Sequence, residues 1–143
     1  MTEIEQIREL SRFYQVPVRF VKEKERAGYF DLRGMVIYIA KDYHDPVSVF
    51  FHELGHLYCV INGLWGFYHR PLRRSKNGVL FCTKSHARAV LRTGYRAEKW
   101  VDKWAKEEMS MWFPDKRYPN SYSHPAARVW LYKNHLITYS NYL

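Results

Sequence analysis

The chain has 143 residues, 47% hydrophobic, 17% aromatic and 26% charged, a composition that supplies one apolar core and excludes wholesale disorder. Lys and Arg number 23 against 14 Asp and Glu, so the formal net charge is +9 and anionic partners are favoured. No segment approaches the roughly 20 apolar residues that span a bilayer, since VIYIA at 36–40 runs straight into Lys41 and Asp42.

The opening MTEIEQIREL lacks the basic start and apolar run of a secretion signal, so a cytoplasmic protein is expected, with Cys59 and Cys82 reduced. Ile4, Ile7, Leu10 and Tyr14 recur at helical spacing with Pro17 just beyond, which predicts a short amphipathic helix ending near position 15. Residues 16–20 and 34–40 are rich in β-branched and aromatic side chains and read as strands, a hairpin or part of a small sheet. The charged KEKERAGYFDLR between them reads as their connection, with Gly28 at a turn or bulge. Asp45 is placed to cap a helix whose first turn accepts Pro46, and that helix is expected over 46–62.

NGLWGFYHRPLRRSKNG at 62–78 reads as an exposed connection, made basic by Arg70, Arg73, Arg74 and Lys76. A short strand at 79–82 precedes a helical pattern that starts near Ser85, breaks at Gly94 and continues over 95–113 to Pro114. PDKRYPNSYSHP is irregular, and a short helix is expected over 126–134. Residues 1–143 are expected to form one α+β domain, with 115–143 as an extension of it.

The chemistry concentrates in His52, Glu53, Leu54, Gly55 and His56. On a helix, positions four apart differ by about 40° of rotation, so two imidazoles can face one ion, and zinc suits them. Glu53 stands about 100° from His52, where it can reach water at an open zinc position without filling that position. General base is its natural role. Two histidines four apart also occur on ordinary helices, but the Glu in second place, the apolar neighbours Val49, Phe50, Leu54 and Leu57, and the Asp-Pro cap favour a Zn2+ site.

A catalytic zinc takes three protein ligands and keeps one open position, so a further acid or histidine must approach through folding. Glu98 is the choice, because on the second long helix it borders the face carrying Val101, Asp102, Ala105, Met109 and Trp112. An acid beside an inward face costs desolvation energy unless paired, and a metal compensates. The alternative is an ion pair within the helix. Asp102 can hydrogen-bond a ligand histidine. Arg92, Arg96, Lys99, Lys103 and Lys106 gather in a stripe away from that face.

HELGH, followed 42 residues after His56 by the Glu of AEKWVDKWAKEEMSMWFP, resembles the ImmA/IrrE-like zinc metallopeptidases of phage and mobile elements. The resemblance covers most of positions 3–114. It implies a small zincin-like fold: a short antiparallel or mixed sheet packed on the HExxH helix, and a second long helix with the third ligand. It makes His52, His56 and Glu98 zinc ligands and Glu53 the catalytic acid-base residue. It also implies a protein substrate, for instance a transcriptional repressor or another DNA-bound protein. The segment EMSMWFP is less aliphatic than the corresponding helix end in that family. The longer HExxHxxGxxH pattern is absent, which disfavours a metzincin.

Peptide hydrolysis also needs support for the developing oxyanion, and His86, His124, Tyr122 and His69 are the available groups, with His124 of SYSHP preferred as catalytic. A different class of function competes. The +9 charge, the 70–76 loop and the 92–106 stripe suit a nucleic-acid-binding protein, or one in which zinc is structural, although no zinc finger, RRM or KH signature is present.

Overall fold

The computed structural model describes residues 1–23, 27–31, 33–62, 73–74, 80–81 and 84–119, with the backbone alone described at 73–74, 80–81 and 84–95. Helix α1 (Glu3–Tyr14) begins with a capping box, in which the Thr2 hydroxyl accepts from the Glu5 amide and the Glu5 carboxylate accepts from the Thr2 amide. It ends at Gln15, whose φ of 57° and ψ of 42° lie in the left-handed region. Ile7 and Leu10 on its inner face are buried.

Strands β1 (Val18–Val21), β2 (Gly28–Asp31) and β3 (Val36–Ala40) form one sheet in the order β1-β3-β2. β3 runs parallel to β1 and antiparallel to β2, with Ile37 opposite Val18 on one side and Phe30 on the other. The sheet is therefore mixed. The two strands expected from sequence are partners but not a hairpin. The segment read as their connection contributes β2, whose hairpin with β3 inserts the central strand between the edges. Gly28 serves neither a turn nor a bulge. A Cβ there would stand 2.5 Å from the Tyr38 carbonyl oxygen and 2.7 Å from Val49 Cγ1, so glycine lets the strand pass close to the next helix.

That helix, α2 (Pro46–Ile61), starts as its sequence dictates: Asp45 accepts from the Ser48 amide and from the Ser48 hydroxyl, and Pro46 occupies the first turn. It packs against α1, β2, β3 and the final helix, which explains why Val47 through Gly55 are buried without a break. A helix so enclosed is apolar on every side except where its polar groups find partners. Cys59 is buried on the same helix.

Strands β4 (Arg73–Arg74) and β5 (Leu80–Phe81) pair antiparallel, so part of the segment read as a connection is a short ladder. Helix α3 (Lys84–Trp112) then runs 29 residues without a break at Gly94. A mid-helix glycine costs about 1 kcal/mol relative to alanine, and the strong helix formers around it, Ala87, Ala89, Leu91, Ala97 and Glu98, carry the helix through. Ala97, Val101, Ala105 and Met109 are buried along one face. Trp112, expected on that face, is instead 40% exposed at the helix end, edge-on to Phe13. Among the described residues no helix is long and apolar enough to cross a membrane.

Candidate metal centre

Two helices build the centre. α2 presents His52 and His56 one turn apart, and α3, lying against it, brings Glu98 to the same point. Nε2 of His56 is 3.3 Å from Nε2 of His52; the Glu98 carboxylate reaches them through Oε2, 3.0 Å from His52, and Oε1, 3.3 Å from His56. One ligand atom from each of the three residues falls within a 4.8 Å cluster. The close approach of the helices depends on Gly55. A Cβ there would meet Val101 Cγ1 at 2.8 Å and the Trp104 ring at 3.3 Å.

The donor set fits a divalent ion. A tetrahedral zinc with ligands at about 2.0–2.1 Å has ligand-to-ligand edges of about 3.3–3.4 Å; the two imidazole nitrogens stand 3.3 Å apart, and each has one oxygen of the Glu98 carboxylate within 3.3 Å. The buried Oε2 of Glu98 approaches His52 Nε2 at 3.0 Å without a well-aligned hydrogen bond among the described residues. Two imidazole nitrogens and a carboxylate facing one point offer more lone pairs than protons, and a cation resolves that excess.

The electrostatics point the same way. Burial alone would push the His52 pKa down, yet its hydrogen bond to Asp102 and the nearby charges of Glu98 and Glu53 carry it up to about 10. Burial alone would raise Glu98, but the charge of His56 and the contacts with both imidazoles hold its carboxyl well below the usual carboxylate range. The pocket asks for positive charge, which a proton on His52 or a metal ion can provide.

Behind the three converging groups lies a second set of contacts. Nδ1 of His52 is 2.9 Å from Asp102 Oδ1, the contact expected for Asp102, and a proton held at Nδ1 directs Nε2 toward Glu98 and His56, where a metal would take its lone pair. Nδ1 is also 2.9 Å from the Tyr118 hydroxyl, which itself donates to Asp102 Oδ1 at 2.7 Å. Tyr118 was not legible in the sequence. It is one of 12 tyrosines, on a post-helix segment with no periodic signal. Only the fold, turning at Pro114 with the Lys116 amide bonded to the Phe113 carbonyl, returns it to α3.

Glu53 is buried on α2 at 7% exposure beside His52, and its carboxylate is not one of the three converging groups. The centre thus brings together His52, His56, Glu98 and Asp102 as expected. Of the groups considered for oxyanion support, His69, Tyr122 and His124 lie outside the described residues, and only the backbone of His86 is described. On the outer face of α3, Arg96, Lys99, Lys103 and Lys106 are exposed, and none joins an ion pair among the described residues. The Arg92 side chain and most of the 70–76 loop are outside the described residues.

No family model, curated protein or solved structure matches this chain. The class therefore rests on the architecture itself. A small α+β domain with an HExxH helix and a second helix carrying a converging glutamate is a zincin-like metallopeptidase fold with a site able to bind a metal ion.

Proposed function

We propose that the protein is a zinc-dependent peptidase related to the ImmA/IrrE-like group, with His52, His56 and Glu98 as ligands. The observation that carries this reading is the convergence of those three side chains while Glu53, buried next to them, stays outside the cluster. Among the described residues three ligands converge, the number that suits a catalytic zinc with an open position, whereas a structural zinc usually has four. When bound, zinc supplies Lewis acidity and acidifies water toward a pKa of about 7. Glu53 accepts a proton from the attacking water and returns it to the leaving amine. Asp102 holds the His52 ring in place. Oxyanion support is assigned to the 120–143 segment, with His124 as the donor. The substrate is a protein, for instance a repressor or another DNA-bound regulator.

The test is metal analysis together with cleavage of a proteome-derived peptide library by the wild type and Glu53→Gln. One zinc per chain, cleavage by the wild type, and a Glu53→Gln variant that retains zinc but does not cleave are expected. Equal cleavage by both would remove Glu53 from its role, and a wild type without zinc after supplementation would end the reading.

The exposed stripe of Arg96, Lys99, Lys103 and Lys106, outside any ion pair among the described residues, favours a second reading, in which the protein binds nucleic acid through this face and zinc serves structure alone. Zinc retention without cleavage, together with salt-sensitive binding to duplex DNA, would select it.

A further inference from the structure

Asp102 alone is enough to orient His52, so the Tyr118 hydroxyl at the same nitrogen is unexplained by the ligand set. Its side chain is 4% exposed and its hydroxyl is within 2.9 Å of both other members of the group. His52 Nδ1, Asp102 Oδ1 and the phenol oxygen form a closed triangle with sides of 2.9, 2.7 and 2.9 Å.

Two protons are available to this triangle, one on the phenol and one on the imidazole. The phenol donates to Asp102. The imidazole Nδ1–H then points between Asp102 Oδ1 and the phenol oxygen, and both can accept it. In this arrangement each proton has an acceptor and Nε2 keeps its lone pair toward Glu98 and His56. Removing the hydroxyl takes a charge-assisted hydrogen bond from Asp102 and frees that carboxylate to rotate away from the ring it holds. It also takes away one of the two oxygens that fix the orientation of the ring.

We propose that Tyr118 is a positioning residue of the metal centre, acting through Asp102 and the His52 ring, so that the segment following α3 completes the site. This rests on the reading of His52, His56 and Glu98 as metal ligands. Outer hydrogen-bonding partners of ligand histidines are worth about 10- to 100-fold in metal affinity. Tyr118 lies at the lower end of that range, since Asp102 remains in its absence.

The experiment measures zinc affinity of the full chain by competition with a chromogenic chelator, for the wild type, Tyr118→Phe, Asp102→Asn and the double variant, with thermal unfolding of each metal-free protein. Tyr118→Phe should bind zinc about tenfold more weakly while its metal-free form melts close to the wild type. The double variant should depart from the sum of the two single losses, because Asp102 and the hydroxyl hold the same ring nitrogen. The absorption bands of bound cobalt should also shift in Tyr118→Phe, a change that a merely structural role would not produce. Unchanged zinc affinity, fully additive losses, or a Tyr118→Phe protein that does not fold would overturn the proposal. A wild type that binds no zinc would instead overturn the metal reading beneath it, so the two failures are distinct.

Discussion

Two tyrosines reach carboxylates on α3 from outside the helix, and their different settings separate function from architecture. Tyr118 donates to Asp102, and the pair meets a histidine of the candidate metal centre. Tyr14, the last residue of α1, donates to Glu108, and its oxygen accepts from the Trp112 indole at the end of α3. The first group is buried between two helices, whereas the second lies nearer the surface, with Phe13 and Trp112 packed edge-on beside it. A phenol paired with a carboxylate thus orients a histidine of the candidate metal centre in one place and fastens α1 to α3 in the other. The third partner decides the role, and sequence does not name it.

The largest expected effect lies at the first region. Glu98→Ala removes one of three converging groups, and zinc content measured by atomic emission should fall from about one per chain to near zero under dialysis. A variant that kept its zinc would reduce Glu98 to an ion-pair partner of the histidines and erase the distinction between the two regions. Next is Gly55→Ala, which tests whether the helices must approach so closely. The added methyl would stand 2.8 Å from the buried Val101 side chain, so α2 and α3 must part or repack, at a cost of about 1–3 kcal/mol. Chemical denaturation reads that cost. Zinc affinity should fall with it, because Glu98 and the histidines sit on opposite sides of the same seam.

Tyr14→Phe is the counterpart at the second region. Losing the hydroxyl should lower stability by about 1 kcal/mol and leave zinc affinity unchanged. Burial first, then the hydrogen bond to Glu108, holds the Tyr14 phenol above its ordinary value of 10. A tyrosine that keeps its proton more tightly when folded stabilises the fold fully below pH 10 and loses that contribution as pH rises further. The stability difference between the wild type and Tyr14→Phe should therefore be constant below pH 10 and narrow above it. A zinc affinity that fell with Tyr14→Phe would show that the two networks are coupled through α3.

What could be read in the sequence was what local physics determines. The Asp45-Pro46 start of α2, the turn spacing of His52 and His56, and the inward border position of Glu98 and Asp102 all follow from helical periodicity and the cost of burying charge. β2 was missed because GYFD sits inside a charged run, and its identity as a strand comes from pairing with β3. The parallel pairing of β1 with β3 is nonlocal for the same reason. Gly55 carried no sign of its close contact with Val101, and Tyr118 no sign of its return to α3, because both depend on how distant segments pack.

The outer face of α3 offers a third setting on the same helix, and its expected effect on folding is the smallest. Arg96, Lys99, Lys103 and Lys106 are exposed and outside any ion pair among the described residues, so replacing all four by glutamine should leave stability within about 0.5 kcal/mol per site and zinc content unchanged. Association with an anionic partner is where these charges count. If the stripe contacts duplex DNA, the logarithm of affinity should fall with the logarithm of salt by about 0.9 per neutralised phosphate, and the quadruple variant should lose much of that slope. Filter binding from low to moderate salt measures it. A wild type that binds no DNA even at low salt would leave the stripe to solubility or partner steering, and a variant with reduced zinc would show that the outer and inner faces of α3 are not independent.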